Sequence, residues 1–356
     1  MKNPEKILVR APNWIGDQVL AYPFFHYLRA AYPGSHITVS CVPWVQSVQF
    51  RNLVDSVRIL PKIENHGFIS KWKKLEASAE GLRENGPWDL GIILPHSLSS
   101  AWVMFRAGVK VRRGYRMDGR GMLLNQSLAA DSIKNLHRSK AYLALVSPDI
   151  AEKNEHSLSD VLDAFDAAKA WTGERTLEPP DEPYWILAPG SNAESRRWSA
   201  QQFIELARLV LAETGLCGVI VGGAAESQIA QRIVQESSAL LGAKLGAKFL
   251  DWTNRGSPAS LWKLFNKAKF SVCNDSGLAH VASLCGSPVW IVWGAGNPSR
   301  TRPIGPGKTH LVLNPVECWP CERNSCTQPD HSKFACLKGI RAEAVWKEIK
   351  TEIWPK

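Results

Sequence analysis

Short apolar segments alternate along this chain with longer segments in which apolar residues recur every three or four positions. The short segments are typical of buried strands, and the longer segments are typical of amphipathic helices. Strands that alternate with helices across short turns indicate a parallel sheet covered by helices on both faces. In the first half, the predicted strands are 6–11, 36–42, 55–61 and 89–95, and the predicted helices are 17–32 and 71–86.

The stretch 173–183 interrupts this alternation, because it is rich in proline and acidic residues and has no periodicity. It is predicted to be a linker, after which the alternation resumes. The strands predicted there are 184–190, 217–223, 269–274 and 288–294, and the helices are 199–214, 225–242, 257–268, 276–286 and 340–354. We therefore predict an α/β protein with two doubly wound parallel-sheet domains. The predicted divisions are 1–175, 176–340 and a terminal segment, 341–356.

Ligands of open parallel sheets bind outside the carboxyl ends of the strands. With two such domains, the expected site is the cleft between their strand ends, so polar residues that follow predicted strands are the candidates. The first candidate is Asp17, which lies where the helix after strand 6–11 begins. Position alone favours a helix-capping role for Asp17 over a catalytic role.

The loop after strand 184–190 combines glycine, serine and arginine in PGSNAESRRW. Backbone N–H groups and guanidinium groups together bind anions, so Ser191 and Arg196 are candidate anion ligands. A polar surface loop with exposed arginines explains the same residues equally well. Glu226 follows the next strand and a Gly-Gly pair. The preference of helix N-termini for acidic residues is a sufficient alternative explanation for it.

The stretch Asn274-Asp275-Ser276-Gly277 separates a buried strand from an apolar helix. Ser276 and Gly277 are predicted to begin the helix, whose free N–H groups can bind phosphate. His280 follows Ser276 by four residues and therefore shares its helical face. A carboxylate repels phosphate, so Asp275 is expected to accept hydrogen bonds from hydroxyl groups. A ligand that carries both phosphate and hydroxyl groups is a nucleotide sugar.

The net charge of +10 is concentrated in residues 1–150, which hold 20 Lys and Arg against 11 Asp and Glu. Such a basic half indicates an anionic partner, which can be nucleic acid, an acidic membrane surface or a phosphorylated ligand. Scattered, solvated Lys and Arg residues are the simpler explanation. Two clusters stand out, namely SKWKK around Trp72 and the group Lys110, Arg112, Arg113, Arg116 and Arg120.

The remaining motifs narrow the class of protein. No apolar run reaches the ~18 residues that span a membrane. The apolar stretch 7–9 is too short for a signal peptide, so a cytoplasmic location is expected. The chain contains no G-x-x-x-x-G-K-[ST] motif and no G-x-G-x-x-G motif between a strand and a helix. These absences disfavour Walker-type NTPases and nicotinamide dehydrogenases.

The eight cysteines fall into two groups. Four lie in or beside apolar segments and are most simply small core residues. The others have the spacing C-x2-C-x4-C-x9-C, which can hold zinc or iron in a cytosolic protein, whereas free or redox-active thiols are the alternative. We expect no required cofactor, and we keep a structural metal as one interpretation of Cys318, Cys321, Cys326 and Cys336.

Four segments, in this order and at this spacing, resemble glycosyltransferase family 9, and within it the heptosyltransferase II branch. They are ILVRAPNWIGDQVL, ILPHSLSSAWVMFRAGVKVRRGYRMDGRGMLLN, APGSNAESRRW and NDSGLAHVASLCGSPVWIVWG. The resemblance covers about residues 6–305. It implies a GT-B fold, in which two Rossmann-like domains face a cleft. The N-terminal domain would bind the acceptor and the C-terminal domain the nucleotide sugar, and the helix in 341–356 would pack back on the N-terminal domain.

The resemblance also implies an activity. Family members transfer heptose from ADP-L-glycero-β-D-manno-heptose to the inner core of lipopolysaccharide, here heptosyl-Kdo2-lipid A, with inversion of the anomeric centre. The family's catalytic carboxylate falls on Asp17, as a base for the acceptor hydroxyl, which reverses the preference for a cap. The diphosphate-binding cation falls on Arg196, where lysine is usual. Cationic groups stabilise the departing ADP, so no metal is required.

The other candidate residues receive roles from the same resemblance. Phosphate oxygens would contact Ser191, Ser276 and Gly277. The ribose or base would contact Glu226, whereas Asp275 and His280 would lie near the sugar and diphosphate. The acceptor's acidic groups at the inner leaflet would contact Arg112, Arg113, Arg116 and Arg120. Peripheral contact with the inner face of the inner membrane is therefore expected.

Two alternatives stay open. One is a related family 9 transferase with another nucleotide sugar or acceptor. The other, ranked behind it, is a non-catalytic protein that binds nucleic acid through the cysteine cluster and the basic half. That alternative needs no Asp17 and predicts binding that weakens steeply with salt. Our main interpretation includes no nucleic-acid partner.

Overall fold

A computed structural model describes residues 3–61, 68–147, 156–239 and 248–355. The chain forms two compact units, Met1–Gly173 and Glu174–Lys356. Each unit contains one six-stranded sheet, in which all paired strands are parallel. The predicted α/β class with two Rossmann-like sheets is therefore confirmed. The boundary between the units follows Gly173, two residues before the predicted boundary after residue 175.

The first unit contains six strands and seven helices among the described residues. The strands are β1 (Lys6–Arg10), β2 (His36–Cys41), β3 (Ser56–Ile59), β4 (Leu90–Ile93), β5 (Val111–Arg116) and β6 (Gln126–Ala129). The helices are α1 (Ile15–Leu20), α2 (Tyr22–Ala31), α3 (Phe68–Arg83), α4 (Leu98–Arg106), α5 (Arg138–Leu143), α6 (His156–Asp163) and α7 (Ala167–Ala170).

The second unit repeats the alternation. Its strands are β7 (Tyr184–Ala188), β8 (Cys217–Ile220), β9 (Phe249–Asp251), β10 (Ser271–Asn274), β11 (Val289–Val292) and β12 (Thr309–Val312). Its helices are α8 (Ala200–Thr214), α9 (Ser227–Ala239), α10 (Trp262–Lys267), α11 (Gly277–Leu284), α12 (Pro298–Thr301), α13 (Ala335–Lys338) and α14 (Ala342–Ile353). Ser199 caps α8, because its side chain accepts a hydrogen bond from the N–H of Gln202.

The strand order places a topological switch point in each sheet. The orders are β3-β2-β1-β4-β5-β6 and β12-β11-β10-β7-β8-β9. In each sheet the chain first builds outward on one side of its first strand and then crosses to the other side. Ligand sites of open parallel sheets lie at such a reversal, outside the carboxyl ends of the strands. The loops after β1 and β4, and those after β7 and β10, are therefore the positions to inspect.

The central strands are apolar along their length because helices cover both faces of each sheet. Every residue of β4, β7, β10 and β11 is buried. Elsewhere, the single helix predicted over 17–32 is divided into α1 and α2. Pro23 lies in the first turn of α2, where its missing N–H costs no hydrogen bond.

The terminal helix, α14, contributes to the core of the second unit. Val345, Trp346 and Ile349 are buried in the same core as Trp185 and Phe203. The apolar face of α14 therefore packs within the C-terminal unit, and the packing on the N-terminal domain that the resemblance implied stays a prediction. In the part of the chain that the structure describes, no helix is long and apolar enough to cross a membrane.

Candidate active site

The loop after β1 is fixed by a buried arginine that sequence reasoning did not single out. Arg10 is 6% exposed, and its guanidinium donates to the carbonyl oxygen of Ala11 at 2.5 Å and to Oδ1 of Asn13 at 2.6 Å. Trp44 donates from Nε1 to the carbonyl oxygen of Asn13 at 2.6 Å. A charged residue at the end of an apolar strand was the available signal, because an arginine is rarely buried without several acceptors.

Asp17 lies in the first turn of α1, three residues after the N-cap residue Trp14. It is therefore not the residue that caps this helix. Its side chain is 23% exposed, and its Oδ1 lies 3.9 Å from Nε of Arg138, the first residue of α5. The structure thus places a partly exposed carboxylate, next to a cation, after the first strand of the sheet.

Tyr142 completes the surroundings of Asp17. It lies one helical turn after Arg138 on α5, is 2% exposed, and accepts a side-chain hydrogen bond from Arg138. Burial, followed by the negative charge of Asp17, raises the pKa of Tyr142 well above its usual value. The phenol therefore stays protonated, and Arg138 is the group that supplies positive charge here. Neither residue carried a sequence signal, because α5 lies far from α1 along the chain.

In the second unit, Asn274 joins the loops that follow β7 and β10. It is fully buried at the end of β10, accepts from the N–H of Trp198 at 3.0 Å and donates to the carbonyl oxygen of Pro189 at 2.6 Å. Ser191 donates from Oγ to the carbonyl oxygen of Asp275 at 3.1 Å. Two segments that lie more than eighty residues apart in the sequence are therefore held together at the switch point.

Arg196 and Asp275 form an ion pair at this position. Nε of Arg196 lies 3.4 Å from Oδ2 of Asp275, whose side chain is only 4% exposed, whereas that of Arg196 is 30% exposed. The backbone of Gly296 approaches the same carboxylate, since an added Cβ would lie 2.4 Å from Oδ2. The guanidinium is thus oriented by a buried acid while part of it remains open to an anion.

The N-terminus of α11 adjoins this ion pair. Ser276 is the N-cap residue in extended conformation, and its side chain makes no capping hydrogen bond. Its Oγ is buried without a hydrogen-bond partner among the described residues. Gly277 begins the helix, and His280 is 6% exposed on the next turn. This arrangement leaves N–H groups and a hydroxyl for a phosphate-bearing ligand.

Glu226 reaches back over two glycines. Its Oε2 accepts from the N–H of Gly223 at 2.8 Å. An added Cβ on Gly190 would lie 2.7 Å from its Cδ, and one on Gly222 would lie 2.8 Å from its Cβ. Glu226 therefore closes a glycine-rich turn and also contacts the loop that carries Ser191. Ser191, Arg196, Glu226 and Asp275 are brought together as the sequence predicted.

Arg120, in the segment after β5, differs from expectation. Arg120 is fully buried and donates to the carbonyl oxygens of Tyr115, at 2.8 Å, and Pro95. Burial lowers its pKa to about 10. The guanidinium of Arg120 is buried and bonded to backbone carbonyl groups of its own unit. This contradicts the expected contact of Arg120 with an acceptor.

The other three arginines of this group are more accessible, to different degrees. Arg112 donates to the carbonyl oxygens of Leu123 and Val109, at 2.7 and 2.6 Å. Arg113 donates to the carbonyl oxygen of Leu145 at 2.9 Å. Arg116 is exposed at the carboxyl end of β5. The expected acceptor contact fits the placement of Arg116 best.

The four tail cysteines lie in a segment that contacts the Arg196 loop. Cys318 is exposed, and the other three are partly buried. Between these cysteines, the carbonyl oxygen of Arg323 accepts from the hydroxyl of Ser195, and the carbonyl oxygen of Asn324 accepts from its N–H. Ser195 is the residue before Arg196. In the described ranges, no group of three or more His, Cys, Asp or Glu side chains is arranged to hold a metal ion. The metal interpretation therefore stays a prediction.

Two Rossmann-like units of this topology are the fold class of GT-B glycosyltransferases. A solved structure, that of E. coli ADP-heptose LPS heptosyltransferase II, matches with a TM-score of 0.73 at 22% identity over 98% of both chains. The family model "Glycosyltransferase family 9 (heptosyltransferase)" matches residues 77–331. The chain belongs to this family.

Two curated relatives match most of the chain. Lipopolysaccharide heptosyltransferase 2 of Escherichia coli (strain K12) is 28% identical over 311 residues, which are 84% of this chain and 85% of that protein. Lipooligosaccharide heptosyltransferase 2 of Haemophilus influenzae is 24% identical over 322 residues, 86% of this chain and 88% of that protein. The resemblance inferred from the four sequence segments is therefore confirmed.

Proposed function

We propose that this enzyme transfers heptose from ADP-L-glycero-β-D-manno-heptose to the inner core of lipopolysaccharide, with heptosyl-Kdo2-lipid A as acceptor. Support comes from the names of the relatives, which are lipopolysaccharide and lipooligosaccharide heptosyltransferases 2 over about 85% of the chain. The single structural observation that carries the mechanism is the position of Asp17, partly exposed after β1 and next to Arg138.

The proposed reaction needs one base and a stabilised leaving group. The acceptor hydroxyl oxygen attacks the anomeric carbon of heptose, and its proton passes to the carboxylate of Asp17. The bond from that carbon to the diphosphate breaks, and ADP leaves with the electron pair. Attack on the face opposite ADP inverts the anomeric centre.

The second unit would supply the donor side. Arg196 and the N–H groups of α11 would stabilise the charge that develops on the departing diphosphate. Ser191, Ser276 and Gly277 would contact phosphate oxygens. Glu226 would contact the ribose or base, and Asp275 with His280 would lie near the sugar and diphosphate. No step requires a metal ion.

The first unit would supply the acceptor side, with Arg116 as the arginine best placed for an acidic group. The acceptor is a lipid, so we propose a cytoplasmic enzyme that acts at the inner face of the inner membrane. A related nucleotide sugar or acceptor is the remaining alternative within this family.

The test is ADP release from ADP-heptose with heptosyl-Kdo2-lipid A, measured for wild type and Asp17→Asn. We expect activity in wild type and a loss of at least 10²-fold in the variant, because general-base catalysis contributes about 10²–10⁴-fold. Proton NMR of the product should show an inverted anomeric configuration. ADP affinity should be unchanged in Asp17→Asn.

Asp131→Asn is the matched control, since Asp131 is an exposed acid of the same unit. It should keep wild-type activity. If the wild-type enzyme binds ADP but transfers no heptose, the enzyme uses another donor sugar or another acceptor. Full activity of Asp17→Asn would exclude Asp17 as the base.

A further inference from the structure

Three aromatic side chains form a row at the surface of the first unit. The rings of Trp72 on α3 and Trp102 on α4 lie 4.8 Å apart between centroids, and those of Trp102 and Phe105 lie 6.1 Å apart. Trp72 is 40% exposed and Phe105 is 44% exposed. Large apolar rings that adjoin one another at a surface commonly mark an interaction site.

The row is only partly used to attach these helices to the core. Leu75 and Ala79 of α3, with Ala101 and Met104 of α4, are buried in the core of the unit, and the middle ring, Trp102, packs against that core. Trp72 and Phe105, at the two ends of the row, keep 40% and 44% of their surface exposed. The exposed area of Trp72 and Phe105 therefore remains available for a partner.

Cations surround the row. The guanidinium of Arg106 lies 5.9 Å from the ring of Trp102, and that of Arg112 lies 5.3 Å from the ring of Phe105. Lys71 and Lys73, on either side of Trp72 along α3, are exposed. We call these four cations and the three rings the aromatic–basic surface.

One acid belongs to the same region and is already engaged. Glu76 accepts from Nε1 of Trp102 at 2.9 Å and pairs with Nε of Arg106 at 3.1 Å. It therefore neutralises Arg106 and leaves Lys71, Lys73 and Arg112 as the cations that set the local charge. Because residues 1–150 carry a net charge of +9, the wider field of this unit is also positive.

We propose that the aromatic–basic surface docks on an anionic lipid membrane. Tryptophan side chains lie at the boundary between headgroups and acyl chains, where their rings are half apolar and half polar. Each lysine or arginine near an anionic leaflet strengthens the attraction to it. The inference rests on the proposed function only in that a lipid acceptor requires an enzyme at the membrane.

An extended anionic plane suits this surface better than a protein partner does. Met122, whose side chain is 89% exposed, lies in the segment after β5. Its neighbour Leu123 accepts a hydrogen bond from Arg112 on its carbonyl oxygen. Apolar groups and cations are therefore spread over α3, α4 and the segment after β5. A planar surface can contact all of them at once.

The test is co-sedimentation of the full chain with vesicles, without donor or acceptor. Vesicles of phosphatidylglycerol and phosphatidylethanolamine are compared with vesicles of phosphatidylcholine alone. We expect at least tenfold stronger partitioning to the anionic vesicles, decreasing with salt. Trp72→Ala/Phe105→Ala and Lys71→Glu/Lys73→Glu should each reduce it about tenfold or more.

Matched controls come from the second unit. Trp354→Ala removes an aromatic ring of similar exposure, 43%, and Lys338→Glu/Lys347→Glu makes the same change of charge at exposed positions. Both should partition like wild type. Circular dichroism melts and ADP affinity establish that every variant is folded.

Three outcomes would overturn the proposal. They are equal partitioning of wild type to neutral and anionic vesicles, surface variants that behave like the controls, and a change of oligomeric state in Trp72→Ala/Phe105→Ala by light scattering. The last would assign the surface to a second copy of the chain. Because heptose transfer is not measured, failure of the proposed function leaves this test unaffected.

Discussion

Asp17 shares its surroundings with one cation, and this is the residue-scale feature most open to test. Arg138 lies 3.9 Å from Oδ1 of Asp17 and also binds Tyr142 one turn later. A nearby positive charge favours the ionised form of a carboxylate, and the two contacts also fix its orientation. Arg138 therefore acts on the proposed base without being the base.

Replacing Arg138 with Gln should change the pH profile of transfer as well as the rate. We expect the acid limb of kcat/KM to move to higher pH by about one unit, because the cation no longer favours the carboxylate. Arg138→Lys should restore part of the shift. A lower rate with an unmoved acid limb would mean that Arg138 only maintains the fold.

Gly190 is a second residue with a specific test. A Cβ there would lie 2.7 Å from Cδ of Glu226, so Gly190→Ala should displace that carboxylate. If Glu226 contacts the nucleotide, ADP affinity should fall about tenfold, as it should in Glu226→Ala. The double variant should be no weaker than Glu226→Ala, because both changes remove the same contact.

Gly223→Ala is the control for this experiment. A Cβ at Gly223 would lie 3.4 Å from Oε2 of Glu226, which is close to ordinary contact. It should leave ADP affinity nearly unchanged by isothermal titration calorimetry. Additive losses in the Gly190→Ala/Glu226→Ala variant would show that Gly190 acts independently of Glu226.

At the scale of elements, Asp89 connects the starts of three neighbouring strands, β1, β4 and β5. Its Oδ2 accepts from the N–H groups of Glu5 and Lys6, at 3.0 and 3.1 Å, and its Oδ1 accepts from Nζ of Lys110 at 2.8 Å. The hydrogen bond from Lys110, followed by that from Lys6, holds the pKa of Asp89 below its usual range.

A carboxyl whose pKa is lowered by folding contributes stability that is present above its unfolded pKa, about 4. That stability is lost as the pH falls through the folded pKa. The difference in unfolding free energy between wild type and Asp89→Asn should therefore be largest near neutral pH and shrink below about pH 4. Urea unfolding at a series of pH values measures it, and a constant difference would contradict the assignment.

Helix α14 has its own stability test. Trp346 is 2% exposed within the core of the second unit, whereas its neighbour Lys347 is exposed. Trp346→Ala should lower the unfolding free energy by about 3–5 kcal/mol through loss of buried area and a cavity. Lys347→Ala should change it by less than ~0.5 kcal/mol, and equal effects in denaturant unfolding would contradict this packing.

Sequence periodicity was sufficient for the α/β class because strand and helix patterns are local. Four strands, β5, β6, β9 and β12, were not predicted. The predicted strand 184–190 begins at Tyr184, as β7 does, and the predicted helix 199–214 ends at Thr214, as α8 does. The division of 17–32 into α1 and α2 was missed, because an apolar run through Pro23 conceals the break. Periodicity defined the apolar face of α14 but not the surface that this face covers, which is the core of the second unit.

The candidate site was predictable where it follows from strand ends. Ser191, Arg196 and Asp275 are neighbours because β7 pairs with β10 and all three residues follow the carboxyl ends of these strands. Arg138 was not predictable, since its approach to Asp17 depends on how α5 packs. Arg120 was misassigned, because a basic cluster in sequence does not reveal which guanidinium groups are buried on backbone carbonyls.

At the scale of the whole molecule, each unit has a hydrophobic core among its described residues. One core contains Leu75 and Met104 of the first unit, and another contains Trp185 and Trp346 of the second. Differential scanning calorimetry should therefore resolve two transitions. ADP at about 100 times its Kd should add about 2.7 kcal/mol to the second unit and raise only that transition.

The Trp346→Ala variant shows which of the two transitions belongs to the second unit. It should lower the transition that ADP raises and leave the other at its wild-type temperature, because Trp346 belongs to the second core. A single transition that moves as a whole with both ADP and the substitution would show that the units unfold cooperatively. It would also show that nucleotide binding stabilises the entire molecule.

The position of α14 also has a consequence for biosynthesis. Trp346 leaves the ribosome 161 residues after Trp185, yet the two residues belong to one core. At about 5–20 residues per second, the nascent second unit waits roughly 8–32 s for the helix that covers its apolar surface. The first unit has a similar delay, because the ring of Tyr22 contacts that of Phe165, 143 residues later. The end of the synthesis of each unit is thus when this chain most needs a chaperone.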